Sequence, residues 1–418
     1  MAYEAPTIPT TIVTRATERF QAKANRLAQW CYGLHLWSIF GIALSNIFLG
    51  LTGVATTLGS PALRVPWRRM RQVMIPLGMY AFLIVVSVLT SYDSQLSLPK
   101  GRELLSLGTL FLGLILIRGE SEVRRIVDGI IVLAALLSLF GLGQMLFGFG
   151  DINNRIRGPF SHYMTFAGVL LMADLLLVAQ MFYGKTRAGA LRWVALILIN
   201  LALVMGLTRS AWVALILALT ILLLVRAPKL LVAYIPATLL FLLLAPVPVI
   251  HRVQSIPDLT DISNYDRLCM AEAALYMIRE RPLFGLGPGM VAERYPIYRH
   301  PTAPRQEVPH LHNAFLQTAA EEGLLALACY LWIMVAALLL AYRGFRHHES
   351  NGGQASDLYL GVFLALLAFN FAGFFEDNWG DTEVQRIALF IVAIPYCLMN
   401  GEKDFPAPSP ELSEKSGS

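Results

Sequence analysis

The sequence predicts an all-α, polytopic integral membrane protein of about 12 transmembrane helices, with one large loop between spans nine and ten. Composition is the first reason. Of 418 residues, 56% are hydrophobic and 15% charged, and mean hydropathy is +0.58, whereas a soluble domain carries about 25% charged residues. The second reason is patterning: the charges sit in short clusters between apolar runs of roughly 17–25 residues, the length that crosses a bilayer. The third is residues 250–312, the longest polar interruption, rich in Arg, His, Gly and Pro.

In chain order, residues 1–28 form a basic N-terminal arm expected on the cytoplasmic side. Within it, 10–28 reads as a weakly amphipathic lead-in lying on the membrane surface. Spans one to nine occupy 29–249, at 29–41, 44–60, 73–91, 103–117, 126–148, 162–183, 190–207, 210–225 and 230–249. Residues 29–60 are too long for one straight span, so a break is placed at Ser45-Asn46; the alternative is one tilted helix and eleven spans. Spans ten to twelve follow within 313–400, at 313–342, 357–374 and 385–400, and the polar tail 401–418 reads as disordered and cytoplasmic. Of Cys31, Cys269, Cys329 and Cys397, only Cys269 falls in the long loop, so no disulfide framework is expected. There is no cleavable signal peptide pattern.

Sidedness follows from the basic residues. With twelve spans and a cytoplasmic N-terminus, 20 of the 33 Lys and Arg fall on the cytoplasmic side. Of the remaining 13, seven lie in the long loop, which the rule does not govern. Both termini are then cytoplasmic and the loop faces outward, which in a Gram-negative cell is the periplasm. The small net charge of +5 points to no nucleic-acid partner.

Arginine on the disfavoured side becomes informative. Arg155, Arg157, Arg209, Arg267, Arg279, Arg281, Arg294, Arg299 and Arg305 all lie there. Arg209 sits in GLTRSAW, between two apolar spans with almost no polar linker. A membrane-edge arginine costs a few kcal/mol and points to function; its plainer reading is snorkelling to lipid phosphates. Arg155-Ile156-Arg157-Gly158 opens the sixth span with His162 nearby, and ordinary surface charge is its plainer reading.

The loop ends in His310-Leu311-His312-Asn313, with Glu321 and Glu322 about two turns further on. Residues 312, 316, 319 and 323 would share one helical face, placing His312 at a helix mouth. An imidazole there can accept a proton from a sugar hydroxyl; its plainer reading is a histidine bonded to backbone near an N-cap. Either glutamate could pair with an arginine of a neighbouring span. His310-x-His312 raises zinc, but no third ligand cluster is evident. Asp258 and Asp261, the nearest pair for magnesium, read as solvated loop residues. Arg281-Pro282 leads into glycines at 285, 287 and 289, whose amides could contact phosphate or simply turn the loop back. Several arginines on one membrane face, one histidine and no nucleotide-binding motif suit an activated donor built on a polyprenyl diphosphate.

With these motifs the chain resembles the superfamily of O-antigen ligases, O-antigen polymerases and protein O-oligosaccharyltransferases. The signature H-[NS]-x-x-L-x-x-x-x-E-x-G is met by His312, Asn313, Leu316, Glu321 and Gly323. R-P-x-x-G-x-G-P-G is met by Arg281 to Gly289, R-x-x-G by Arg155 and Gly158, and the S/T-R-[SG] turn by Thr208-Arg209-Ser210. The Asn-Pro usual after R-x-x-G is missing, and only His312 is in register with the histidine motif.

The resemblance implies an inverting, metal-independent glycosyltransferase without cofactors, multi-pass in a bacterial cell inner membrane, its active site facing the periplasm. Its partners would be an undecaprenyl diphosphate-linked glycan, a lipid A-core acceptor and membrane lipid. Arg209 and Arg267 would neutralise the departing diphosphate and His312 would deprotonate the acceptor hydroxyl. Arg155, Arg157, Arg281, His310, Asn313 and Glu321 would assist binding. O-antigen ligase in lipopolysaccharide biosynthesis is the leading expectation and a polymerase the nearest alternative. A polyisoprenoid-glycan transporter is the reading of a different class, and it would show internal repeats that this chain lacks.

Overall fold

The computed structural model describes residues 10–59, 67–148, 155–184, 189–351 and 355–399, and among these the regular structure is helical with no strand. The chain opens with a hairpin of α1 (Thr10–Trp37) and α2 (Ile42–Gly59). Six helices carry it to the predicted Arg209 turn: α3 (Trp67–Leu89), α4 (Ser94–Lys100), α5 (Leu104–Leu116), α6 (Glu120–Leu146), α7 (Tyr163–Tyr183) and α8 (Ala190–Met205). Next come α9 (Arg209–Arg226) and α10 (Leu231–Leu244). Three more helices, α11 (Val247–Gln254), α12 (Ile262–Glu280) and α13 (Met290–Tyr298), build the polar region. The chain then ends in α14 (Ala314–Glu321), α15 (Leu324–Asn351), α16 (Ser356–Ala372) and α17 (Thr382–Met399).

Six helices among the described residues are long and apolar enough to cross a membrane: α2, most of α3, α6, α7, most of α15 and α17. Shorter apolar helices include α8, most of α9 and α16. The centre of the bundle is α7, α16 and α17, whose side chains are mostly buried all round. Such helices show no polar face, and the flanking helices pack around them. Outer helices instead carry exposed apolar side chains, such as Leu191, Val232 and Leu243, as lipid contact requires. A few polar pairs tie helices together inside the bundle. Arg124 on α6 grips Asp357 on α16 through both terminal nitrogens, at 2.6 and 2.7 Å, and Asn200 on α8 donates to Asp174 on α7 at 2.8 Å. All four cysteines are free and buried.

Three expectations change. Residues 29–60 do form two helices, but the break falls at 38–41 rather than at Ser45-Asn46. Ser45 instead sits inside α2, its hydroxyl held by His35 across the hairpin. The lead-in 10–28 is no separate surface element, since α1 runs unbroken from Thr10 to Trp37. The span expected over 313–342 is two helices, because the chain breaks at Glu322-Gly323, where Gly323 takes a left-handed φ of 90°; residue 323 therefore does not continue the face of 312, 316 and 319. The tail 401–418 lies outside the described residues.

That break is built by the glycine motif of the loop. Leu286 N donates to Ala320 O and Gly287 N to Glu321 O, both at 2.9 Å, and Leu324 N returns to Pro282 O at 2.8 Å. Gly285 takes φ 70°, and a Cβ there would drive into the Glu321 backbone; a Cβ on Gly323 would meet the Leu283 carbonyl. The glycine amides are spent on this junction, so the turn reading holds for them. Around the junction the loop forms its own small core from Met270, Ala273, Met277, Leu286, Tyr295 and Leu311. We expect Gly323→Ala and Gly285→Ala each to cost ~1–3 kcal/mol through strain and overlap. Both would lower the thermal transition in detergent, whereas Gly78→Ala, whose Cβ meets nothing within 4 Å, would not.

Candidate functional site

Arg209 is the first residue of α9. Leu207, at φ 50°, turns the chain sharply out of α8, so the guanidinium stands at the helix end with only 8% of the residue exposed. Its Nη1 donates to the carbonyl and the hydroxyl of Ser255, both at 2.9 Å, and its Nη2 pairs with Asp261 Oδ1 at 3.2 Å. Asp261 is therefore no solvated loop residue: it is the N-cap of α12, and the same oxygen accepts from Asn264 N. Asp258 does stay on the surface, bonded to Thr260.

One carboxylate thus ties the start of α9 to the start of α12, and α12 carries Arg267. Arg209, Arg267 and Arg252 line a single cavity of about 120 Å³ together with Tyr163, Asn264 and Phe375. Arg155 stands at its edge, its guanidinium 4.5 Å from the Tyr163 ring centre. Crowding of like charge shows in the acidities. Burial, then Arg155 and Arg209, pulls Arg252 down to about 10. Burial also lowers Arg267, with Glu376 opposing and Arg209 adding to it. The Nε atoms of Arg155 and Arg267 are buried with no hydrogen-bond partner among the described residues. Buried donors are rarely left so, and an anion in the cavity would satisfy them.

His312 stands just before α14 in a left-handed conformation, φ 48°, unusual for a residue with a Cβ. Asn313 explains it. Its side chain caps α14 by accepting from Phe315 N and Leu316 N at 3.0 and 2.9 Å, and the chain must bend to deliver it. The Asn313 amide also donates to Phe374 O at 3.0 Å, while Ala314 N is shared between Gly373 O and Glu376 O. This clamps the α16–α17 loop against His312, so that His312 Nδ1 lies 3.1 Å from Glu376 Oε2. Burial raises the Glu376 carboxyl, but the hydrogen bond with His312 and the nearby positive charge of Arg267 outweigh it and hold the carboxyl below its ordinary value. A neutral ring with its proton on Nδ1, toward Glu376, would leave Nε2 with its lone pair, the form a general base needs. Glu376 also connects the halves of the site, being coupled electrostatically to both Arg267 and His312.

The remaining predicted residues divide. His310 lies beside His312, ring centres 4.3 Å apart, and burial pushes it down to about 4, so it stays neutral. Arg157 is exposed and bonds Ser161 O. Arg281 lies apart from the cavity: it bonds Thr90 O and stacks on Tyr92 at 3.8 Å, with Arg294 at 4.0 Å from the same ring. Glu321 and Glu322 do not pair with arginine. Glu321 accepts from Val291 N at 3.0 Å and Glu322 from the Tyr80 hydroxyl at 2.5 Å.

Arg252, Tyr163 and Glu376 were not foreseen. Arg252 was readable, as an arginine directly after the ninth apolar run on the disfavoured side. Glu376, 64 residues from His312, had no spacing signal. It nonetheless supplies the third member that His310 and His312 lacked: ligand atoms of His310, His312 and Glu376 all lie within 4.8 Å of one another.

No curated protein matches the chain. Residues 193–331 match the model of the family described as O-antigen ligase, a segment that includes Arg209, Arg252, Arg267 and His312. This match covers about a third of the chain and supports its similarity to the O-antigen ligase and polymerase superfamily.

Proposed function

We propose that the protein is an O-antigen ligase of the bacterial inner membrane. It would transfer a glycan from undecaprenyl diphosphate to a sugar hydroxyl of lipid A-core, on the periplasmic side. The observation that carries this reading is the shared cavity of Arg209, Arg252 and Arg267, joined through Glu376 to His312. The diphosphate would lie in the cavity, where guanidinium forks match its oxygens.

In the reaction the acceptor oxygen bonds to the anomeric carbon as that carbon's bond to the diphosphate breaks, inverting its configuration. The hydroxyl proton passes to His312 Nε2, and the diphosphate leaves on its lipid with its growing charge met by the arginines. Donors fixed beforehand around a developing anion are worth about 3–4 kcal/mol each, and a positioned base contributes about 10²–10⁴-fold. Glu376 holds the imidazole in the right tautomer.

Purified Arg209→Ala, Arg267→Ala and His312→Ala should each lose about 10²-fold or more of transfer to lipid A-core while keeping the wild-type gel-filtration profile in detergent. Near-wild-type rates in all three would overturn the assignment. Transfer to a second lipid-linked repeat instead of lipid A-core would make the enzyme a polymerase, and donor movement without bond breakage a transporter. As a positioning residue, Glu376 acts on turnover: Glu376→Gln should lower kcat by about tenfold or more with little change in donor KM. Measured single-donor kinetics in which KM alone rises would assign Glu376 to binding.

A further inference from the structure

We infer that His310, His312 and Glu376 form a binding site for a transition-metal ion of the Zn²⁺ type, and that its occupancy switches transfer off. The inhibitory half rests on the proposed role of His312; the binding half does not.

The ligand set is the first ground. Two imidazoles and one carboxylate, with a position left open, is a zinc donor set. Ligands held ~2.0–2.2 Å from a tetrahedral ion stand about 3.3–3.5 Å apart. His312 Nδ1 and Glu376 Oε2, at 3.1 Å, already have nearly that spacing. His310 completes the cluster from two residues away, its ring edge-on to that of His312.

Preorganisation is the second ground. The strained His312 backbone, the Asn313 cap and the bonds of Asn313 and Ala314 to residues 373–376 hold His312 and Glu376 from separate segments. His310 Nδ1 faces the His312 amide at 3.3 Å, so Nε2 is the ligating atom, and binding moves the ring proton to Nδ1 at the expense of that weak contact. Arg267 and Arg305 oppose a cation here, which keeps the site reversible.

The consequence for catalysis follows from the proton count. A metal on His312 Nδ1 leaves the ring's single proton on Nε2. A metal on Nε2 takes the lone pair itself. In either case the imidazole can no longer accept the proton of an acceptor hydroxyl.

The test uses the full chain in detergent, stripped with chelator and carrying a tag without histidine. A His347→Gln/His348→Gln background removes the other adjacent histidine pair. Titration with Co²⁺ should give a saturable visible band of one ion per chain, which Zn²⁺ abolishes. His310→Gln and Glu376→Gln, checked for unchanged thermal transitions, should weaken it at least about tenfold. Zn²⁺ should inhibit transfer, and His310→Gln should need at least about tenfold more Zn²⁺, each protein scored against its own metal-free rate. A band unchanged in both variants overturns the site. A band lost in the variants with unchanged zinc sensitivity overturns the switch. A normal band with no transfer by the metal-free parent overturns the glycosyltransferase reading and leaves the metal site standing.

Discussion

Two backbone segments pressed against each other without a side chain between them determine where everything polar goes. Residues 282–287 and 320–324 exchange three main-chain hydrogen bonds, and only glycine at 285 and 323 lets them approach so closely. This contact stops α14 after eight residues and starts α15 on a new axis. It also fixes the end of α12 against α14, and those two helices carry Arg267 and flank His312. The two signatures legible in the sequence, around Arg281 and around His312, are thus two halves of one joint. Their spacing is a steric requirement, and Glu321 serves it by accepting the Val291 amide.

The second constraint is electrostatic. A buried guanidinium is tolerated only with partners. Arg209 meets this by taking both Ser255 and Asp261, and Asp261 in turn starts α12. Charge satisfaction therefore shapes the fold: it brings the start of α12 to the start of α9. The same holds at the other side of the site, where Glu376 reaches His312 because residues 373–376 are pinned to the start of α14.

Much of this was readable beforehand. Length and composition set the class, and each apolar run is helical within the described residues, because hydrophobic stretches of this length leave the backbone no other partner in lipid. Arg209 stood out as a charge at a membrane edge and His312 as a titratable group at a helix mouth, whereas Arg267 was named as a site residue only through the family resemblance. What escaped has physical reasons. Periodicity carries no trace of a break that depends on two glycines meeting across sequence. Asp261 looked solvated because its partner lies 52 residues away. Arg281 lies on the same outward side as Arg209, yet its guanidinium packs on Tyr92. Sidedness alone cannot distinguish an arginine that packs on a ring from one that faces a cavity.

That distinction bears on why the cavity is read as catalytic. Arg155, Arg209, Arg252 and Arg267 gather there with Asp261 and Glu376 as opposing charges, and two buried Nε atoms have no hydrogen-bond partner among the described residues. Such a concentration of like charge costs stability, and it persists in proteins where a ligand repays it. A passive lipid-phosphate site would account for the arginines. It would not account for an imidazole held in a left-handed backbone with Nδ1 fixed against a carboxylate. A strained, oriented imidazole beside an arginine-lined cavity is what the proposed transfer would need, with a bond to an anionic leaving group breaking while a proton is taken up. Both features arise from one short stretch, 310–314, whose strain the Asn313 cap and the 373–376 clamp jointly maintain.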